Sequence, residues 1–179
     1  MMKEVNITLV TIDEIAALQR ISRQTFEETF SEVNSVDNMT SYVEESFSSD
    51  KLSCELSNLS SRFYFCFVDN QVVGYMKLNS GQAQTEIRHN HAMEIERIYV
   101  LKAFHGKKVG LQLFEEAIKV AEQTRMEYVW LGVWEHNERA INFYKKNGFT
   151  EFDQHIFHLG SDQQIDLLMK KKLTHLSNE

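Results

Sequence analysis

A tyrosine in a short predicted helix, Tyr144, has the side chain best suited to chemistry in this sequence. An apolar run ends at Trp134, and Asn137 can cap the helix that follows. That helix stops at Asn147-Gly148, a common C-terminal cap. A tyrosine hydroxyl, with a reference pKa of about 10, can donate a proton to a thiolate whose conjugate acid has a pKa near 8.5. Tyr144 is therefore a candidate general acid for a leaving group of this kind; the alternative is a packing role.

A second segment, His105-Gly106-Lys107-Lys108-Val109-Gly110, follows a predicted strand and precedes an amphipathic helix. A helix N-terminus presents free backbone N–H groups and the positive end of the helix dipole, which suits a phosphate group. The two lysines add positive charge. The segment therefore predicts an anion site, although glycine before a helix is common and the loop alone is a weak signal.

Two glutamates, Glu94 and Glu96, alternate in a predicted strand, so we expect their side chains on the same face. A primary ammonium with a pKa near 10.4 is free amine at only about one part in a thousand at neutral pH. A carboxylate can take its proton directly or through water. Glu96 is the preferred candidate because it is nearer the segment Ile98–Val100. The alternative is that one or both are solvated strand residues.

Aromatic residues stand beside carboxylates in the first helical region and at the end of a central strand. Such pairs can hold an alkylammonium by ion pairing and cation–π contact. The alternative is core aromatics with exposed acids. The expected contacts to a cationic substrate are Phe26, Glu27, Phe30, Glu94, Trp134 and Glu135.

Composition restricts the classes of function. The net charge of −7 argues against nonspecific nucleic-acid binding and is compatible with a cationic substrate or with solubility alone. We see no membrane-length apolar run and no signal-peptide core, and we expect a cytoplasmic protein without a membrane partner. Cys54 and Cys66 form no metal-spaced set, and His89 and His91 lack a third ligand nearby, so no metal is expected.

The elements that must position these residues alternate between strand and helix. Period-two and apolar runs predict strands at Val5–Leu9, Phe63–Val68, Val72–Leu78, Met93–Val100, Met126–Trp134, Phe149–His158 and Gln164–Lys171. Helices are expected after a Thr11 capping box, at Met39–Phe47 and Leu52–Leu59, after Gly110, and at Asn137–Asn147, with Asn79–His91 as a polar loop. This order predicts a mixed α/β sheet with helices on both faces in one domain spanning 1–179, its core at about 5–172.

Taken together, three patterns resemble the GCN5-related N-acetyltransferases: Ile95–Val100, His105–Gly110, and the Asn137 helix with Ala140, Phe143-Tyr144-Lys145-Lys146 and Gly148-Phe149. The resemblance implies a single-domain, mostly antiparallel twisted sheet. It implies acetyl-CoA as the acetyl donor and Tyr144 as the acid. The implied cofactor contacts are Ile98, Tyr99, Val100, His105, Gly106, Lys107, Lys108, Val109, Gly110, Asn137 and Lys146.

The loop departs from the family's Gln/Arg-x-x-Gly-x-Gly/Ala pattern. Aligned on Gly110, His105 takes the Gln/Arg place and Lys108 replaces the first glycine. A side chain then stands where the backbone should approach the pyrophosphate closely, although Gly106 can relax the turn by a different route.

A closer similarity extends over nearly the whole chain, to about Lys172. It includes Glu27-Glu28-Thr29-Phe30, Glu55-Leu56-Ser57-Asn58 and Leu131-Gly132-Val133-Trp134-Glu135, and it is to the bacterial PaiA-type spermidine/spermine N-acetyltransferases. The resemblance implies direct acetyl transfer to a polyamine in a ternary complex, without a metal, by a monomer or homodimer. Two alternatives stay open: transfer to a peptide N-terminus, protein lysine or antibiotic amine, and a non-catalytic acetyl-CoA-binding regulator.

Overall fold

The computed structural model describes residues 5–174, which form one seven-stranded sheet and five α-helices. The strands are β1 (Val5–Leu9), β2 (Ser61–Val68), β3 (Gln71–Ser80), β4 (Ala92–Val100), β5 (Tyr128–Trp134), β6 (Thr150–Leu159) and β7 (Asp162–Lys172). The helices are α1 (Ile15–Phe30), α2 (Val36–Ser46), α3 (Ser49–Ser57), α4 (Val109–Gln123) and α5 (Glu138–Lys146). None of the helices in this part of the chain is long and apolar enough to cross a membrane.

The strand order is β1-β2-β3-β4-β5-β7-β6. All neighbours are antiparallel except β4 and β5, which run parallel. The prediction of a mixed, mostly antiparallel sheet is confirmed. The parallel pair is registered only at Ala92–Glu94 against Tyr128–Trp130, so the two strands separate beyond Glu94 and Trp130. This separation opens the sheet at its centre.

Helices cover both faces of the sheet, as predicted. A methyl group placed on Gly74 of β3 would lie 2.7 Å from the Tyr99 carbonyl oxygen and 3.3 Å from Leu113 of α4, so this glycine allows α4 to pack closely. On the other face, Phe26 of α1 contacts Tyr99 of β4 with ring centroids 6.5 Å apart.

Two helix starts differ from the predicted ones because serine caps lie earlier in the chain. The Ser35 hydroxyl accepts a hydrogen bond from Asn38 N–H at 3.2 Å, so α2 begins at Val36 rather than Met39. The Ser48 hydroxyl accepts one from Lys51 N–H at 3.3 Å, so α3 begins at Ser49 rather than Leu52. Serine is a strong N-cap because its side chain satisfies a backbone donor that the helix cannot.

The predicted loop from Asn79 to His91 is wrong at its start. Strand β3 runs on through Ser80, and Asn79 and Gln84 are buried. The side-chain oxygen Oε1 of Gln84 accepts a hydrogen bond from the indole N–H of buried Trp130 at 2.6 Å. These amides are buried because they satisfy polar groups in the sheet, which burial would otherwise penalise.

Candidate active site

A cleft of about 920 Å³ lies where β4 and β5 separate. It is lined by both strands, by the N-terminal turn of α4, by α5, and by parts of α1, α2, β6 and β7. Most of the residues predicted to act in chemistry or binding line it together: Phe26, Phe30, Glu94, Glu96, Ile98, Tyr99, Val100, His105, Gly106, Lys108, Val109, Gly110, Trp134, Asn137 and Tyr144.

Four predicted site residues do not line the cleft. Lys146 is exposed in the last turn of α5, and Lys107 places its ammonium 4.9 Å from the centre of the Phe104 ring. Glu27 and Glu135 are also absent from the lining, and Glu28 lies there in place of Glu27. These are helix and turn positions where a shift of one residue changes the direction of the side chain, which sequence spacing alone does not fix.

The segment 105–110, which we call the anion loop, forms one end of the cleft. Gly106 has a φ of +76° and Lys108 a φ of +63°, and helix α4 begins at Val109 without a side-chain cap. The first backbone N–H groups of α4 lack intrahelical partners, and Val109, Gly110 and Leu111 line the cleft. Lys108 thus has the left-handed conformation natural to the glycine it replaces.

His105 is held by its neighbours. Its Nε2 lies 2.7 Å from the Val100 carbonyl oxygen, and its Nδ1 lies 2.9 Å from a guanidinium nitrogen of Arg139. Because arginine can only donate, Nδ1 accepts and Nε2–H donates to the carbonyl. Arg139, in the first turn of α5, brings a positive charge to the anion loop and was missed by the sequence analysis.

Tyr144 is 8% exposed and lines the cleft. Its ring packs against Phe143 and Phe149, with centroids 5.4 Å and 5.6 Å away. Burial raises the pKa of Tyr144 well above its ordinary value, so the hydroxyl keeps its proton. The predicted cap is confirmed, since Asn137 Oδ1 accepts a hydrogen bond from Ala140 N–H at 3.1 Å and fixes the start of the helix.

Glu94 and Glu96 converge on one amide, as the prediction of a shared face requires. Asn79 Nδ2 donates to Glu94 Oε2 at 3.0 Å and to Glu96 Oε2 at 2.6 Å. The register of β3 with β4 shifts between the pairs Lys77–Arg97 and Leu78–Ile95, so Glu96 is the extra residue of a β-bulge.

The two carboxylates differ in electrostatic environment. Burial raises the pKa of Glu94, in spite of hydrogen bonds from Thr85 and Asn79 that oppose the shift. Burial also disfavours ionised Glu96, but the charges of Arg97 and Lys77 outweigh it and hold the pKa of Glu96 below its ordinary value.

Glu96 belongs to an ionic cluster at the wall of the cleft, which Arg97 also lines. Lys77 Nζ lies 2.6 Å from Glu96 Oε2 and 3.1 Å from Glu55 Oε2. The Arg97 guanidinium donates to both oxygens of Glu55, at 2.9 Å and 3.2 Å, and lies 3.2 Å from Glu96 Oε1. Two cations thus balance two carboxylates, which is how buried charges are accommodated.

A second acidic group faces the cleft from β6 and β7. His155 places Nδ1 2.8 Å from Glu86 Oε1 and Nε2 3.8 Å from Asp166 Oδ2. Burial raises the pKa of Asp166 to about 6, with His155 opposing the shift and Glu86 adding to it. Gly132 of β5 leaves this group open to the cleft, since a Cβ there would lie 3.5 Å from Asp166 Oδ2. An acid within the apolar run of β7 was the available sequence signal.

Aromatic rings cross the cleft above these carboxylates. Phe30 lies edge-on to Trp134 at 6.3 Å and to Tyr99 at 6.4 Å. Phe26 stacks on Tyr42 at 4.5 Å. In residues 5–174, no group of three or more His, Cys, Asp or Glu side chains is arranged to hold a metal ion, and His89 stacks instead on Tyr128.

The sequence profile of the acetyltransferase (GNAT) family matches residues 17–149, and the chain belongs to this family. It is 43% identical over 172 residues to an uncharacterized N-acetyltransferase of Lactobacillus delbrueckii subsp. lactis, covering 96% of this chain and 99% of the relative. It is 28% identical over 172 residues to the spermidine N(1)-acetyltransferase of Thermoplasma acidophilum, covering 94% and 97%.

Among solved structures, the chain is similar to the PaiA N-acetyltransferase from Thermoplasma acidophilum in complex with coenzyme A. The TM-score is 0.79 at 26% identity, covering 95% of this chain and 99% of that one. The resemblance predicted from the motifs is therefore confirmed. The loop fits a CoA pyrophosphate, because it combines free N–H groups of α4 with the Arg139 guanidinium, and a Cβ on Gly106 would meet nothing within 4 Å.

Proposed function

We propose that this GNAT-family N-acetyltransferase transfers the acetyl group of acetyl-CoA to a primary amine of a polyamine, in a ternary complex. The observation that carries the proposal is the acidic and aromatic lining of the cleft beyond the anion loop. Glu86, Glu94 and Asp166 line it together with Phe30 and Trp134. Carboxylates attract ammonium groups, and aromatic faces stabilise alkylammonium chains.

The proposed binding of acetyl-CoA follows the course of the cleft. The pyrophosphate would lie at Gly106 and Lys108–Gly110, beside Arg139. The pantetheine would run along Ile98–Val100 with Asn137 on its other side, since both line the cleft. Bound acetyl-CoA supplies an acetyl thioester, whose conversion to an amide releases a thiolate.

Proton movement is assigned to three side chains. Tyr144 Oη–H donates to the departing thiolate; a tyrosine hydroxyl carries its proton at neutral pH, and burial raises its pKa further. Glu94 and Glu96 draw the ammonium into the cleft and receive its proton, directly or through water. We assign the base to Glu94 rather than to Glu96, the candidate preferred from the sequence, because the pKa of Glu94 is raised, whereas Arg97 and Lys77 lower the pKa of Glu96 and make it the weaker base.

A turnover screen tests the substrate class. Purified protein is given acetyl-CoA with spermidine, spermine, small diamines, a lysine peptide, a peptide N-terminus or an aminoglycoside, and the acetylated products are identified by mass. We expect the polyamines to have the highest kcat/KM. A higher kcat/KM for a peptide or aminoglycoside would overturn the polyamine assignment while leaving acetyl transfer intact. No acetylated product from any amine would favour the non-catalytic regulator.

Cofactor binding is tested separately by thermal shift with CoA and with dephospho-CoA. A ligand that binds only the folded state must raise its stability. Absence of a shift with either compound at millimolar concentration would contradict the proposed cofactor site.

A further inference from the structure

Hydrogen bonds join α2 and the segment before it to the β6–β7 hairpin, next to the part of the cleft that Tyr42, Phe157 and Gln164 line. Asn38 Oδ1 accepts from the backbone N–H and from the hydroxyl of Ser161, both at 3.1 Å. Gln164 Nε2 donates to Asn34 Oδ1 at 2.7 Å. We call these four residues, Asn34, Asn38, Ser161 and Gln164, the bridge. It joins segments separated by more than 100 residues in sequence.

An aromatic wall lies beneath the bridge. Tyr42 of α2 meets Phe157 of β6 edge-on, with ring centroids 5.6 Å apart, and stacks on Phe26 at its other side. All three rings line the cleft. Tyr42 also lines a separate outer groove of about 510 Å³ that contains Asn38 and Ser161. The Tyr42–Phe157 contact therefore separates the cleft from that groove.

Gly160 shows how closely the hairpin approaches α2. It has a φ of +61°, and a Cβ there would lie 2.5 Å from Asn38 Oδ1 and 3.0 Å from Asn38 Cα. A Cβ cannot lie 2.5 Å from another atom, so a side chain at this position must move the Asn38 amide, whose oxygen makes two of the bridge hydrogen bonds. The turn residue is therefore matched to a closed bridge.

A second aromatic contact, between Phe30 and Trp134, spans the cleft from α1 to β5. Two aromatic contacts, Tyr42–Phe157 and Phe30–Trp134, thus connect the walls of the cleft in the part proposed to bind the amine. The three hydrogen bonds of the bridge stabilise the first of them. A slender chain can pass between such contacts, whereas a wide group must separate the layers and break the bridge.

We propose that the bridge determines the width of amine that this enzyme accepts. A primary amine on an unbranched chain enters with the bridge closed. An amine on a ring system or on a protein surface requires the bridge to open and is acetylated less efficiently. The inference rests on the proposed function, amine acetylation in this cleft, and names the property by which the site selects its substrate.

The test compares two acceptors in wild type, Asn38→Ala and Gly160→Ala. The slender acceptor is 1,4-diaminobutane and the bulky one is an aminoglycoside. We expect both variants to raise the kcat/KM of the bulky acceptor relative to the slender one by roughly three- to tenfold, the factor that one or two hydrogen bonds of ordinary net strength confer. The change should appear in the bulky acceptor's KM, with KM for acetyl-CoA unchanged.

Asn58→Ala is the matched control, because Asn58 Oδ1 accepts a comparable hydrogen bond, from Ser60 N–H at 3.0 Å, outside the cleft. Ser161→Ala removes only the hydroxyl contact and serves if the other variants do not fold. An unchanged ratio in folded bridge variants, or a wild type that prefers the bulky acceptor, would overturn the inference. Absence of product from either acceptor would instead count against the proposed function on which it depends.

Discussion

Tyr144 combines two properties that a proton donor in a closed cleft needs. Its hydroxyl carries a proton at neutral pH, with a pKa that burial raises further, and its ring is fixed by Phe143 and Phe149. Helix α5 carries this side chain, and both ends of the helix are defined locally. Asn137 starts the helix with a side-chain cap, and Gly148 follows its end with a φ of +88°. The proposed acid is thus positioned by local structure.

Tyr144→Phe should lower kcat for amine acetylation by roughly ten- to a thousandfold, because a positioned proton donor contributes on the order of 10²–10⁴. The affinity for CoA should stay near that of wild type. Steady-state kinetics and CoA titration check the two halves of this expectation. Tyr64→Phe, a tyrosine outside the cleft lining, is the control. An unchanged kcat would reduce Tyr144 to a packing residue.

Glu94→Gln and Glu96→Gln should have separable kinetic effects. We expect Glu94→Gln to lower kcat at neutral pH by roughly tenfold or more, because it removes the stronger base of the pair. Glu96→Gln should mainly raise KM for the amine, since it removes a carboxylate that stays ionised. Full kinetics on both variants measure the split. If the two variants lose kcat equally, Glu94 is not the residue that accepts the proton of the ammonium.

Asp166→Asn should make the protein more stable at pH 8 than wild type. The folded-state pKa is raised to about 6, above the ordinary 3.8, so wild-type stability falls as pH rises through this window and recovers as pH falls. The neutral amide avoids this cost, which is about 3 kcal/mol at pH 8 and smaller at pH 5. Urea unfolding at the two pH values measures the difference.

Exposed Asp153 provides the control for this effect. Asp153→Asn should change stability by a similar amount at both pH values. The same Asp166→Asn variant should lose kcat/KM for spermidine, a common exchange of stability against function at active sites. A variant less stable than wild type at pH 8 would contradict the cause assigned to the pKa shift.

The loop before α4 carries its departure from the family pattern at Lys108. This residue has a φ of +63°, whereas Lys107 does not have a positive φ. A left-handed residue other than glycine costs roughly 1–2 kcal/mol. Lys108 thus adds a positive charge to the anion loop, and its left-handed backbone is strained.

Glycine and alanine at these two positions should have opposite orders of stability. Lys108→Gly should be more stable than Lys108→Ala by about 1 kcal/mol, because only glycine adopts the left-handed conformation freely. Lys107→Gly should be less stable than Lys107→Ala by about 0.5–1 kcal/mol. Denaturant unfolding of the four variants checks this. The same order at both positions would mean that Lys108 is not left-handed in solution.

The predictable elements are those that local chemistry determines. The Asn137 cap, the Thr11 capping box and the strand periods all lie within a few residues of the structure they direct. The bulge at Glu96 could not be predicted, because it depends on pairing with β3. The partners of Glu96 were missed for the same reason, since Glu55 reaches the cluster from α3, 42 residues before Arg97 in sequence.

Across the whole molecule, the division of the cleft follows from the separation of β4 and β5. The anion loop lies with Arg139 at one end of the cleft. The carboxylates of Glu86, Glu94 and Asp166 line the rest of the cleft. The sheet and the acidic balance could be predicted from the sequence, but two of the predicted acids, Glu27 and Glu135, lie outside the lining. Asp166 and Glu86 were missed, because non-local packing brings them to the cleft.

The net charge of −7 and the acidic lining together predict preference for polycations. Each further ammonium near a carboxylate should gain about 1 kcal/mol where solvated and more where partly buried. Salt should weaken this preference, because exposed charges are screened over roughly 8–10 Å. An uncharged amine tail should show little salt dependence.

The comparison of spermidine with a monoamine of equal length, each with acetyl-CoA at low and at high salt, decides whether the cleft selects polyamines. We predict that kcat/KM favours spermidine at low salt and that this advantage shrinks at high salt. If the monoamine is acetylated as efficiently as spermidine at low salt, the carboxylates of the cleft do not select polyamines and the proposed substrate class is wrong.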